Sequence, residues 1–412
     1  MTKLEELIQE LCPDGVEYKP LGDIATISRG GSFQKKDYTE NGVPCIHYGQ
    51  IYMYYGLFAE KTLTYISEEV AQKQKFAEPG DIIMAVTSEN MDDVCKCMAW
   101  LGSKKIAVSG HTAIIHHSIN PKYLVYWLSS TMFYQQKVKI AHGTKVIEVA
   151  PARLADIILP VPPLPVQREI VRILDNFTEL TAELTAELTA RKQQYAYYRD
   201  KLLTFENFTE WRTLDDVIVS LNTGLNPRQF FKLNPDDAHN YYVTIREIQN
   251  GTIVVSDKTD RINDDALRLC NNRSNLEVGD VLFSGTGTIG ETAVISEPPT
   301  NWNIKEGIYV IKPRKEVLHP RYLMYILRTD ALRSAIFKKV AGGTVKSIPM
   351  AEMRNLRVPV PSLKIQKRLV EVLDNFDSIC TDLSSGLPAE IEARQKQYEY
   401  YRDKLLTFTP AD

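Results

Sequence analysis

No stretch of the 412-residue chain approaches eighteen consecutive apolar residues, the length a helix needs to cross a bilayer. The opening MTKLEELIQEL is acidic and amphipathic, without the apolar run of a secretory signal. Cysteine is scarce. Six residues, at 12, 45, 95, 97, 270 and 380, show no zinc-ligand spacing, with Cys95-Lys96-Cys97 the one close pair. They read as reduced thiols of a cytoplasmic protein, which makes the Asn-Phe-Thr sequons at Asn176 and Asn207 chance matches. No sign of charge dominates: 49 Lys and Arg stand against 52 Asp and Glu, net −3. That balance neither announces a nucleic-acid partner nor excludes one, because a local basic groove or a basic partner can supply the footprint. An apolar content of 44% and a charged content of 25% describe a globular protein long enough for two or three domains, each with its own core.

Catalytic signatures are missing as well. The chain has no Walker loop, no G-x-S-x-G and no Asn/Asp-Pro-Pro-aromatic element of an amino-methyltransferase. Phe283-Ser-Gly-Thr-Gly287 imitates an adenosylmethionine-binding F-x-G-x-G, and Gly285 to Gly290 imitates a dinucleotide G-x-G-x-x-G. Either ligand would need a helix after the turn, whereas Glu291–Ser296 followed by two prolines reads as a strand, so a hairpin turn is expected. Pro13-Asp14 with Glu17 and Lys19 mimics a nuclease metal set across too short a gap. His116 and His117 are adjacent, so on a strand they face opposite sides and cannot share a metal. No catalytic residue, metal ligand or cofactor site is expected in this chain.

What the chain does have is itself, twice. RKQQYAYYRDKLLTF (Arg191–Phe205) returns as RQKQYEYYRDKLLTF (Arg394–Phe408). Upstream, Ile158–Phe177 matches Arg357–Phe376, Asn120–Leu128 matches His319–Leu327, His142–Val146 matches Gly342–Lys346, and Glu78–Val86 matches Glu277–Gly285. A period this long is no solenoid; it is two copies of one module, each a globular part followed by a long helix. The helical tails are nearly identical, while the globular loops differ: RGGSFQKKDY and VTSENMDD against LNTGLNPRQF and GTGTIGET. A constant frame with rewritten loops suggests two sites of one kind that recognise different things.

The expected fold is α+β, two tandem β-rich domains separated by two long antiparallel helices. The expected divisions are a helical segment at 1–16, a recognition domain at 17–165, a spacer helix at 166–205, a second recognition domain at 206–362 and a second spacer helix at 363–408. Strands should follow the Gly-Asp turns at Gly80 and Gly279. Thr244–Ile248 and Gly251–Val255 should form a hairpin about Asn250-Gly251. Helices should begin at Pro121 and Pro320, and the proline-rich connectors 159–166 and 358–363 should be extended. The long helices carry one apolar stripe each, including Leu174, Phe177, Leu184, Leu188, Tyr195, Tyr198 and Leu202 in the first. The second has Leu373, Phe376, Ile379, Tyr398, Tyr401 and Leu405, with a break expected about Ser384–Pro388. A single stripe needs a cover. Either the two stripes pair with each other, the preferred reading, or each packs on its own domain.

The loops hold the residue types that read DNA. In the first copy these are Arg29, Ser32, Gln34, Lys35, Lys36, His47, Gln50, Ser88 and Asn90. In the second they are Asn222, Asn226, Arg228, Gln229, Arg246, Ser284, Thr286, Thr288 and Lys305. Basic runs before Gly-Thr, with Lys137, Lys139 and Lys145 against Lys338, Lys339 and Lys346, suit phosphates. Taken singly, each such residue is more often plain solvated surface.

The proline-rich connector, the LDNF at Leu174–Phe177 and Leu373–Phe376, the TAEL tandem of Thr181–Leu188 and the repeated QYxYYRDKLLTF together resemble the specificity subunit of a type I restriction-modification enzyme, over essentially the whole chain. The resemblance implies two target recognition domains, each reading one half of a split, asymmetric site in double-stranded DNA, with an antiparallel rod that spaces them and docks two modification (methyltransferase) subunits. It implies that adenosylmethionine sits on those partners, with ATP and Mg on a restriction and motor subunit, and that this chain is a non-catalytic, cytoplasmic member of the complex. Base contacts are not implied, because recognition loops vary within the family.

Overall fold

The computed structural model describes residues 2–205, 210–227, 230–343, 345–381 and 386–411. Two compact units divide the chain in an interleaved way. The first holds residues 1–183 and 391–412, the second residues 184–390. Each unit therefore contains one globular domain, the first part of the helix that follows it, and the repeated tail of the other copy.

The globular frames are alike. In the first unit Thr112–His117 lies between Ala25–Arg29 and Ile82–Ala85, antiparallel to both, and Cys97–Trp100 and Phe58–Ala59 extend that sheet. In the second unit Ile308–Pro313 lies in the same way between Ile218–Thr223 and Val281–Ser284, with Thr292–Val294 outermost. A second sheet adjoins each: five strands in the first unit, built on Val43–Ile46 and Ile106–Val108, and three in the second, centred on Asn240–Val243. The strands after the Gly-Asp turns are wholly buried. Gly80 and Gly279 enter them at φ +95° and +91°, a region that favours glycine. The following carboxylates close the turns, Asp81 accepting from Glu78 N at 2.7 Å and Asp280 from Glu277 N at 2.8 Å.

Helices Pro121–Leu128 and Pro320–Leu327 begin at their prolines and join each domain to its long helix by matching bonds. Tyr123 and Tyr322 donate to Pro160 O and Pro359 O, both at 3.0 Å. Tyr126 and Tyr325 donate to Asp175 and Asp374 at 2.7 and 2.5 Å. Buried Gln167 and Gln366 accept from Asn120 N and His319 N and donate to Pro162 O and Pro361 O. A buried amide whose hydrogen bonds are all internal fixes the angle at which the helix leaves the domain.

The first long helix runs Leu164–Leu202, the second as Leu363–Thr381 and Leu387–Leu405. Gly386 is non-helical; residues 382–385, where the break was expected, and the Ile379 side chain lie outside the described residues. Neither expected cover of the stripes is the whole arrangement. Val166, Ile170 and Leu174 pack into the first domain's core, together with Tyr398 and Leu406 from the far end of the chain. Val370 and Leu373 pack into the second domain's core together with Leu203 and Tyr195. The repeated aspartate docks alike in both units: Asp403 accepts from Thr131 N, and Asp200 from Asp330 N. Both donors stand in the first turn of a helix, where backbone N–H groups lack partners. The same tail was written twice because it meets the same surface twice.

One expected strand is shorter than the pattern suggests. Thr244 N and Oγ1 donate to Glu247 at 2.8 and 2.7 Å, coiling Ile245–Glu247 into a 3-10 turn. The hairpin is left with Ile248–Gln249 against Thr252–Ile253. Asn250 and Gly251, at φ +48° and +81°, supply the two positive angles its turn requires. The Phe283–Gly287 motif is a hairpin turn, since Val281–Phe283 pairs antiparallel with Thr292–Val294.

Candidate nucleic-acid interface

In both units the loop whose sequence differs between the copies leaves the first strand through a glycine that passes close to backbone. A Cβ on Gly30 would stand 2.1 Å from Ser109 O, and one on Gly224 at 2.1 Å from Ile304 O. Beyond Gly30, Gln74 accepts from Ser32 N at 2.7 Å, and Gln34 N donates to Asp37 at 2.7 Å to close the turn that carries Lys35 and Lys36. This loop lines a cleft of about 470 Å³ in which Ser32, Gln34, Lys35 and His47 meet Tyr48 and His111. The Tyr48 ring lies 4.4 Å from His47 and 5.0 Å from His111, centroid to centroid. Burial first, then the charge of Lys35 and the neighbouring His111, hold His47 below its ordinary pKa. A neutral ring suits its bond, because Nδ1 accepts from Gly49 N at 3.2 Å.

The cleft continues to the Gly-Thr loop. Arg29 donates to Gly110 O at 2.8 Å and reaches Glu148 at 3.2 Å. His111 Nδ1 lies 2.9 Å from Thr87 Oγ1, and Ser88 pairs with Ile147. Lys145 is exposed on that loop. In the second unit Thr286 bridges Ser347, and Gly287 N donates to Lys346 O at 2.9 Å. Gly307 ties this corner to the first strand, accepting from Gly285 N at 2.8 Å and donating to Thr223 Oγ1 at 3.2 Å. Thr286, Lys346 and the exposed Thr288 thus share one corner with the end of the strand that carries Asn222. Lys305, exposed, follows Trp302–Ile304, and Arg246 stands on the turn after the neighbouring strand, 3.1 Å from Asp260. Asn226 is half-buried on the loop after Gly224; Arg228 and Gln229 lie outside the described residues.

Several candidates serve the frame instead. Gln50 is buried and accepts from His47 N at 2.9 Å, a helix cap. Ser284 is buried and accepts from Glu291 N at 2.8 Å, holding its hairpin. Asn90, though exposed, spends its amide on Asp93. Lys137 is buried, its ammonium on Asp92 O and Val94 O at 2.9 and 2.8 Å. The two basic runs are also less alike than the sequence match suggests. Helix caps Ser130 and Thr329 set the offset at 199 residues, which places Ile336 opposite Lys137. The Gly-Thr loops follow the same offset, Gly143 standing where Gly342 does. Tyr48 and His111 were missed because a histidine and a tyrosine at strand ends carry no distinguishing pattern.

Lys137→Met should destabilise the first unit by about 1–3 kcal/mol, leaving the buried Val94 carbonyl and the partly buried Asp92 carbonyl without their donor. It should also speed hydrogen exchange between Ser88 and Val94. Chemical denaturation with exchange mass spectrometry checks this, and unchanged stability with unchanged exchange would refute the strut.

Among the described residues no group of three or more His, Cys, Asp or Glu could hold a metal, and no helix is long and apolar enough to cross a membrane. The described cysteines are free and buried.

The model of the type I restriction modification DNA specificity domain matches the chain twice, at residues 13–191 and 209–393. The EcoR124I/EcoR124II type I restriction enzyme specificity subunit of Escherichia coli is 31% identical, over 99% of this chain and 97% of that one. A Haemophilus influenzae protein named as a type I restriction enzyme specificity subunit is 27% identical over 99% of each. A solved chain described under complex assembly and conformational transition of the type I R-M system has a similar fold, with a TM-score of 0.62 at 16% identity, covering 96% of this chain and 98% of that one.

Proposed function

The chain belongs to the type I restriction-modification DNA specificity family and is a specificity subunit, and on that premise we propose that its two units read the two halves of one split, asymmetric duplex site. The observation that carries this reading is one frame built twice around different loops. The first unit presents Ser32, Gln34, Lys35 and His47 in a cleft, while the second presents Thr286, Thr288 and Lys346 about a glycine corner. Side chains of these types read base edges, and the exposed lysines suit phosphates. Nuclease footprinting of the assembled enzyme tests it. Two protected blocks with an exposed spacer are expected, and one continuous or sequence-independent block would refute it.

The repeated tails are the proposed docking surfaces for two modification subunits. Each exposes a tyrosine beside a lysine, Tyr197 with Lys201 and Tyr400 with Lys404, and aromatic anchors of this kind concentrate binding energy. Methyl transfer, with its adenosylmethionine, and ATP- and Mg-dependent restriction would belong to the partners, in the cytoplasm with the DNA. The chain itself would be non-catalytic, in keeping with a sequence that carries none of the usual catalytic motifs.

The reading also makes the long helices an antiparallel spacer. Phe177 stacks on Tyr401, and Tyr198 on Phe376, the reversed order such a pair would give. Thr181–Leu188 lies within one continuous helix. Removing four residues shortens it by about 6 Å and turns the stripe by only about 40°. Deleting Thr185–Leu188 should therefore keep both half-sites and shorten the unspecified spacer by about one or two base pairs, at about 3.4 Å each. Methylation of duplexes that differ only in spacer length checks this, and an unchanged optimum would make the tandem mere filler.

A further inference from the structure

We propose that Val146 and Val345 are paired apolar wedges, one per unit, that enter the base stack of bound DNA and loosen one step in each half-site whatever its sequence. This rests on the reading of both units as DNA readers.

The described backbone around both valines is tied in the same way. His142 and Glu148 exchange backbone hydrogen bonds at 3.0 and 2.8 Å, and Ala341 and Ser347 exchange theirs at 2.8 and 2.9 Å. Just inside, Gly143 and Gly342 hold φ +110° and +113°, and a Cβ on either would lie 2.0 or 2.4 Å from the carbonyl oxygen of Val146 or Val345. Only glycine fits there, and its contact pins the backbone of the valine itself. A second tie binds each loop to the domain, Ile147 to Ser88 and Ser347 to Thr286. On these loops the valines are 58% and 61% exposed.

An apolar side chain held out on a braced loop suits a target that is itself partly apolar. Each valine has an exposed lysine beside it, Lys145 or Lys346, which suits the phosphates flanking such a target. Valine is stiff at χ1, so little rotamer freedom is lost when it is seated. The loops that present different side chains for base edges differ between the units, yet this residue and its geometry recur. Its contact must then be common to two unlike half-sites. Base edges are not common to them; the stack is, and apolar side chains such as Leu, Ile and Met act as wedges that partly unstack base steps, a part the branched, apolar valine is proposed to play here.

The test uses the complete complex with its modification subunits and cognate duplexes carrying 2-aminopurine at each purine position in turn. Val146→Ala should abolish a fluorescence rise in the first half-site only, and Val345→Ala in the second only. Each should weaken binding by about tenfold while leaving the salt dependence unchanged, because phosphate contacts remain. Val146→Leu should retain the signal. A defect confined to duplexes with thymine at one position would overturn the wedge in favour of a methyl contact. Lost assembly with undisturbed DNA signals would overturn it in favour of a protein contact, and full signals in both alanine variants would overturn it outright. Wild-type complex without sequence preference would refute the DNA-reader premise itself, a result separable from failure of the wedge alone.

Discussion

Replacing Tyr195 and Tyr398 together by alanine is expected to unseat both repeated tails and abolish assembly with the modification subunits. Tyr398 is 7% exposed in the first unit's core, its ring 6.4 Å from that of Tyr126. Tyr195 packs against the second unit's core. Deleting a buried aromatic ring costs about 3–5 kcal/mol, a large part of the 5–15 kcal/mol that typically holds a domain folded. The pair Tyr198 and Tyr401, each 40% exposed, should cost much less stability when truncated, although each stacks on a phenylalanine. The contrast separates packing from docking. Tyr195→Phe and Tyr398→Phe should restore stability, since the ring does the packing. Whatever complex survives should still recognise the same sequence. Calorimetry and analytical ultracentrifugation check the result, and a double alanine variant of wild-type stability and assembly would contradict the docked tails.

Exchanging residues 21–157 for those of a relative should replace one half-site completely and leave the other untouched. The cut points are favourable because Tyr18–Pro20 pairs antiparallel with Ile158–Pro160. That short ladder stays whole and closes over whichever domain is inserted. Residues 211–213 and 357–359 form the equivalent ladder in the second unit. A specific site is typically preferred by about 10³-fold or more over unrelated DNA, so the switch should be close to all-or-none. Mapping methylated bases on genomic DNA reads it out. If both half-sites change together, the units do not read independently.

Much of the frame was legible because its signals are local. Pro121 announces a helix start through its fixed φ and the apolar spacing that follows, and Gly80-Asp81 announces a turn into an apolar strand. The repeat itself divided the chain. The exchange of tails was not legible, since two nearly identical stripes fit either domain equally well by pattern, and only distant packing decides between them. The site was legible in type more than in role. A polar residue on a loop looks the same whether it faces solvent, as Lys35 does, or caps a helix, as Gln50 does. Lys137 shows the limit most clearly: its sequence neighbourhood resembles a phosphate-binding run, and its ammonium is consumed by two carbonyls inside the domain.

The most direct test of two separate readers is selection from a randomised duplex library by the assembled complex, with the bound fraction sequenced. Two short specified blocks, different from each other and separated by an unspecified spacer of constant length, are the expected result. A single continuous motif, two blocks at variable spacing, or a bound fraction indistinguishable from the input would contradict it.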